Sequence, residues 1–133
     1  EKEENEMKKL VNSTARGIAT FSNPIDLTGS AKDEDVDNLI QYLSEIERVE
    51  CIIVLILPYT PSVTFQIGRR IANSVMQKKK PTVCFMPYIE KYGSIIEGLE
   101  LSNIPVFHSI EEAVQAVAAL KRRARILKIK KKN

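Results

Sequence analysis

With 133 residues, 44% of them hydrophobic and 28% charged, the chain has the length and balance of one soluble globular domain and is too short for two. Its longest apolar run, Cys51 to Leu57, falls far below the roughly 20 residues a membrane-spanning helix needs. The Glu/Lys-rich start has no secretory character, so a cytoplasmic location without membrane association is expected. The net charge of +3 conceals an asymmetry: residues 121–133 hold eight Lys/Arg and no acid, which leaves 12 basic against 17 acidic residues in the rest.

In chain order, residues 1–15 form a charged leader with Met7, Leu10 and Val11 at helical spacing. It is either the frayed end of an upstream helix or a leader packing on the domain. The domain proper is expected over 16–127, followed by a basic tail at 128–133. Arg16 to Phe21 is a candidate edge strand and Ile25 to Leu27 a short inner one. Ser30 and Asp33 have the spacing of a capping box, with Val36, Leu39, Ile40, Leu43 and Ile46 repeating at the helical period behind it. Cys51–Leu57 is continuously apolar, as a strand buried on both faces would be, and Pro58 stops it.

Thr60 as N-cap and Pro61 at the first helical position predict the next helix, with Val63, Ile67, Ile71 and Val75 as its core stripe. Gly68 and Ala72 give that helix a small face for close packing, and Lys78, Lys79 and Lys80 suit its negative end. Thr82–Met86 is a further strand after Pro81. Ile89–Leu101 is a helix interrupted by Gly93 and Gly98, and Ile104–Phe107 is a fourth strand. Ser109 and Glu112 form a second capping box before a long helix carrying Val114, Val117, Leu120, Ala124 and Leu127 on one side. Strand–helix alternation of this kind predicts an α/β fold: a flavodoxin-like three-layer sandwich around a doubly wound parallel sheet of roughly four or five strands.

Ligands of such sheets bind beyond the C-terminal ends of the strands. The turn from Pro58 to Thr64 is the best anion candidate there. Backbone amides of Ser62, Val63 and Thr64 at a helix start, helped by the hydroxyls of Thr60, Ser62 and Thr64, would attract phosphate. A capped helix end facing water explains the same residues. The sequence has neither a GxGxxG fingerprint nor a Gly-rich loop ending in Gly-Lys-Ser/Thr, so nothing in it marks nucleotide binding by this domain alone. No acid follows Leu57, against a phosphoryl-accepting receiver domain, and no phosphate loop of the flavin type follows the first strand.

Asp26 and Asn23 either settle their own turn, as Asx residues do, or help position a neighbouring domain. His108, the single histidine, reads as a turn residue and not as a phosphorylated one. Cys51 and Cys84 sit in apolar runs without ligand spacing, as small buried hydrophobes, and no metal site is expected. The basic tail could serve nucleic acid, but no aromatic is interleaved for stacking, and a solvated helix end is the expectation.

Taken together, Asn23-Pro24-Ile25-Asp26-Leu27-Thr28-Gly29-Ser30-Ala31, the Cys51–Leu57 strand, Lys80-Pro81, Ile104-Pro105-Val106-Phe107 and Glu111-Glu112-Ala113-Val114 resemble the third, flavodoxin-like domain of ADP-forming acetyl- and acyl-CoA synthetases, relatives of succinyl-CoA synthetase. The resemblance runs from about Asn23 to Arg125. It implies an enzyme that interconverts acyl-CoA, ADP and phosphate with a carboxylic acid, CoA and ATP through an acyl phosphate and a phosphorylated histidine. It also implies that CoA, ADP/ATP and Mg are bound elsewhere, by a CoA-binding domain, a histidine-bearing domain and an ATP-grasp domain or subunit. This domain would hold no cofactor and no bond-making side chain. It would offer the helix start at Thr60, Ser62, Val63 and Thr64 to the phosphate on the histidine, while Asn23, Asp26, Thr28 and Gly29 form an interdomain loop. Pro87 and Tyr88 depart from the small residues common in relatives after the third strand. A non-catalytic regulatory or docking domain, as in synthetase-like parts of some protein acetyltransferases, is the alternative the resemblance allows.

Overall fold

A computed structural model describes residues 2–57, 60–78 and 80–130. Three parallel strands, β1 (Ile52–Leu55), β2 (Thr82–Phe85) and β3 (Val106–Phe107), lie in the order β1-β2-β3. The helices are α1 (Lys2–Leu10), α2 (Ser13–Arg16), α3 (Asp33–Glu45), α4 (Ile67–Lys78), α5 (Gly93–Leu101) and α6 (Ile110–Lys130), with a 3-10 turn at Glu90–Tyr92 leading into α5.

Alternation along the strands builds two layers of packing. Ile52, Val54 and Ile56 of β1 and its extension, with Cys84 and Met86, face one side. There they meet Ile67, Ile71 and Ala72 of α4 and Ile95, Ile96 and Leu99 of α5, all nine-tenths or more buried. Each such aliphatic side chain removed from water contributes roughly 1.5–3 kcal/mol. Val83 and Phe85 alternate to the opposite face, where α6 crosses β2 and β3. Helices on both faces of a parallel sheet are the expected three-layer α/β architecture.

The sheet is narrower than expected. The segments 16–21 and 25–27 do not join it; they meet each other in one antiparallel bridge, Thr20 with Asp26. Ser13–Arg16 is instead a helical turn, because Asn12 caps it, its Oδ1 accepting from the amides of Thr14 (3.0 Å) and Ala15 (3.1 Å). The expectation that Cys51–Leu57 is buried on both faces is corrected too. β2 is buried throughout, but β1 is a sheet edge, and Leu55 and Leu57 are 49% and 61% exposed because α6 lies over β2 and β3.

The leader packs on the domain. Met7 of α1, Val11 and Ala15 are buried with Phe21 and Leu39 of α3 in a second, smaller core. Asp35 fastens it: its Oδ1 accepts from the Asn12 amide at 2.8 Å, and its Oδ2 from the Asn12 side-chain amide.

Local starts and stops differ in places from the sequence reading. Helix α3 is entered at Lys32, and the acid reaching back is Asp35, whose Oδ2 accepts from the Lys32 amide at 2.7 Å. Ser30 and Asp33 therefore do not form the capping box their spacing suggests. Ser30 stays in the preceding turn, its amide 3.4 Å from Thr28 Oγ1. Ile46 ends α3 as its C-cap, and Lys80 donates from Nζ to the carbonyls of Ile46 (3.1 Å) and Val49 (2.7 Å), so it serves the end of α3 and not of α4. Lys79 lies outside the described residues. Ser109 does cap α6, its Oγ accepting from the Glu112 amide at 3.3 Å. Of the residues read along one side of this helix, Val114, Leu120 and Leu127 are 50%, 51% and 44% exposed.

Candidate functional site

The C-terminal ends of the strands open onto three segments: the chain after Ile56, the Met86–Tyr92 segment and the Phe107–Ser109 turn. A shallow apolar pocket lies between the first two, lined by Ile56, Leu57, Thr60, Val63, Met86 and Tyr92 among others. Pro58 and Tyr59, the start of the expected anion-binding turn, lie outside the described residues.

Helix α4 begins at Ile67, not at Thr60-Pro61. The segment 60–66 is a run of turns, with the Val63 amide donating to the Thr60 carbonyl (3.1 Å) and the Ile67 amide to the Thr64 carbonyl (3.2 Å). The local Thr-Pro signal is overridden by a tertiary one. Asp33, buried at the start of α3, accepts from the Thr64 amide at 2.9 Å through Oδ1 and from the Thr64 hydroxyl at 2.5 Å through Oδ2. Thr64 Oγ1 in turn accepts from the Gln66 amide at 3.1 Å. Thr64 thus satisfies an amide in the turn just before α4, and the Asp33 carboxylate sits on the turn expected to attract an anion.

The four residues expected at the anion site are consequently unequal. The Thr64 donors are taken by Asp33 and the Val63 amide by Thr60. The Thr60 hydroxyl donates to the Leu57 carbonyl at 3.1 Å. Ser62 is half-buried, and among the described residues nothing accepts from its amide or hydroxyl. Ser62 is the member with donors to spare.

The loop at 23–30 leads directly into α3, so the Asp33–Thr64 contact joins its far end to the 60–66 turn. Asn23 and Gly29 are exposed, and Asp26, also exposed, accepts from the Thr28 amide at 2.8 Å through Oδ1, the Asx turn read from its sequence. Thr28 adopts φ 60°, a left-handed conformation that is uncommon for a β-branched residue.

Two features of the rim were not legible in the sequence. His108 is exposed but not without a partner: its Nδ1 lies 2.9 Å from the Met86 carbonyl, which can only accept, so Nδ1 carries the proton. The Tyr88 ring meets it edge-on at 5.4 Å. The ring of Phe65, 56% exposed, lies 6.2 Å from that of Tyr92, and the Lys91 ammonium stands over both at 5.8 and 6.0 Å. Apart from the contact between the neighbours Lys91 and Tyr92, these pairings join residues 20 or more positions apart, and no spacing rule announces them.

Cys84 is fully buried in β2, which pushes its thiol up to about 12; Cys51 is half-buried and its thiol is raised for the same reason. Among the described residues no three His, Cys, Asp or Glu side chains cluster to hold a metal ion, and no buried side-chain nitrogen or oxygen lacks a hydrogen-bond partner. No helix among them is long and apolar enough to cross a membrane.

A parallel sheet with helices on both faces is the flavodoxin-like α/β class. No family model matches the chain. It is 32% identical over 108 residues, 81% of its length, to acetate–CoA ligase (ADP-forming) I of Archaeoglobus fulgidus, and the match spans 15% of that protein. Its fold matches a dinucleotide-forming acetyl-coenzyme A synthetase 1 from Ca. Korarchaeum cryptofilum in its apo form. That match has a TM-score of 0.77 and 25% identity, over 91% of this chain and 26% of the other. The chain belongs to the ADP-forming acetyl-CoA synthetase family, and it corresponds to about a quarter or less of these relatives' length.

Proposed function

We propose that the chain acts as the third, flavodoxin-like domain of an ADP-forming acyl-CoA synthetase, in the reaction that takes acyl-CoA, ADP and phosphate to the acid, CoA and ATP. It works against a CoA-binding domain, a histidine-bearing domain and an ATP-grasp domain or subunit, which bind CoA, ADP/ATP and Mg. Its own part is electrostatic. The 60–66 turn receives phosphate or phosphohistidine through Ser62, while Thr60, Val63 and Thr64 hold the turn with donors engaged inside the protein, and no side chain here makes or breaks a bond. The 23–30 loop, with Asn23, Asp26, Thr28 and Gly29, faces the neighbouring domains. The observation that carries the reading is the anchoring of the turn by Asp33, which holds it at the strand ends where sheets of this class meet their ligands.

A hydrogen bond from Ser62 to a charged phosphate contributes about 1.5–3 kcal/mol, roughly 10-fold or more in an equilibrium. Ser62→Leu in the full-length enzyme leaves the Asp33–Thr64 contact intact and is expected to slow formation of the phosphorylated enzyme by about 10-fold in single-turnover measurements. Unchanged phosphoryl transfer in a variant with native unfolding would remove the 60–66 turn from the reaction.

One observation favours a second reading, a non-catalytic regulatory or docking domain: the donors of Thr64 are already satisfied by a protein carboxylate. An acetyltransferase segment beside this domain in the full-length polypeptide, or the lack of the phosphorylated histidine, would decide for regulation.

A further inference from the structure

The geometry points to the outer half of α6, from Leu120 to Lys128, as a docking surface for an acidic amphipathic helix of a partner polypeptide. Along α6, Ala113, Val117, Leu120, Ala124 and Leu127 recur at steps of four, three, four and three, the a/d row of a heptad. The first two residues of the row are spent on the sheet: Ala113 is fully buried and Val117 half-buried where the helix crosses β2 and β3. Past that point the row continues for about 15 Å of helix. Leu120 is 51% and Leu127 44% exposed, with Ala124 exposed between them.

The residues flanking this free row select its occupant. At the e and g positions stand Lys121, Arg123 and Lys128, and no acid follows Glu112 in the helix. In a coiled coil these positions decide partner choice through the charges opposite them. A second copy of the chain would set cation against cation. A helix with apolar a/d residues and Glu at e and g would find both complements. The protein already shows the pairing once, since the exposed Glu50 before β1 lies 2.5 Å from Lys121. The hydrogen bond from Lys121 holds its carboxyl below the usual range, with Lys128 and Arg125 adding to the effect.

Two other anionic surfaces fit less well. Ile126 and Ile129 lie about 120° and 180° around the helix from Leu120, so no single apolar face is available to sink into a bilayer. No aromatic residue follows Phe107, so bases have nothing to stack on.

The test titrates the 133-residue chain against a labelled 21-residue synthetic helix with Leu at a and d and Glu at e and g, at 150 mM salt, and against a twin with Lys at e and g. Fluorescence anisotropy should show saturable binding of the Glu peptide and at least 10-fold weaker binding of the Lys peptide. Leu120→Gln with Leu127→Gln, both at exposed sites, should weaken binding at least 10-fold while the unfolding transition stays native. Arg123→Glu with Lys128→Glu should reverse the preference. Three outcomes each overturn the proposal: equal binding of both peptides, full binding by the Leu120→Gln/Leu127→Gln variant, or tighter binding to phosphatidylserine vesicles or poly(U) than to the Glu peptide.

Discussion

Both carboxylate oxygens of Asp33 are spent on one residue, Thr64: Oδ1 on its amide at 2.9 Å and Oδ2 on its hydroxyl at 2.5 Å. The contact joins the first turn of α3 to the turn before α4 and holds the two loops at the strand ends in register. A hydrogen bond to a charged, buried group contributes more than a neutral one, and leaving either partner unpaired costs about 1.5–3 kcal/mol. Asp33→Asn and Thr64→Val are each expected to destabilise the chain by roughly that amount in urea unfolding. The double variant should lose about 1–2 kcal/mol less than the sum. Additive losses would mean that the two side chains do not act as a pair.

Gly68 is needed for proximity and not for a special backbone conformation. A Cβ at this position would lie 2.9 Å from Cγ2 of Ile95 and 3.4 Å from its carbonyl oxygen, where α4 and α5 touch. Cγ2 is a branch methyl close to the backbone and cannot swing away. Gly68→Ala should therefore destabilise by about 1 kcal/mol or more, although alanine alone would favour the helix by about that amount. In an Ile95→Leu background, which removes the branch methyl, the same substitution should become less harmful. Equal loss in both backgrounds would place the conflict elsewhere.

Asn12 closes a small network: its Oδ1 caps α2, its side-chain amide reaches the Ser30 carbonyl at 3.2 Å, and Asp35 takes its backbone amide. Asn12→Ala removes the cap and leaves Asp35 short of a donor, with an expected loss of about 1–2 kcal/mol. The loss should be concentrated in the leader, so hydrogen exchange at residues 7–15 should accelerate more than exchange at β2. A uniform acceleration would show that the leader unfolds only with the whole domain.

Cys84 gives the stability a pH dependence on the alkaline side. Its folded thiol titrates at about 12 against an ordinary 9.0, because ionisation inside the sheet would strand a charge away from water. The unfolded chain therefore releases this proton first, and stability is full below pH 9 and falls as pH rises from 9 towards 12. Between pH 7 and 10 this group should account for about 1 kcal/mol, and that slope should vanish in Cys84→Ala. The native thiol should also resist alkylation at pH 8. A parallel pH profile in the variant would contradict the assignment.

Several parts of the fold were readable from local pattern. The stripe Val36, Leu39, Ile40 and Leu43 packs inward as its period requires, the apolar runs at 52–55 and 82–85 are strands, and Ser109 caps α6. At the candidate site the sequence showed a turn before α4 but not the bonding that shapes it. Thr60-Pro61 is a sound helix start taken alone, yet the helix begins six residues after Pro61 because Asp33 holds Thr64. Asp33 itself was hidden by a plausible local role, its spacing from Ser30.

By itself the sequence determined the kinds and order of the elements from α3 onward, the small packing face at Gly68 and Ala72, and the separation of a basic end from an acidic body. These depend on periodicity, steric size and net charge, which are properties of neighbouring residues. Only the tertiary structure decided that Asp33 serves Thr64, that Leu55 and Leu57 stay exposed at a sheet edge, and that His108 bonds to the Met86 carbonyl. Those outcomes depend on which buried donor reaches which acceptor once distant elements have packed, a balance of desolvation and hydrogen bonding that no local spacing contains.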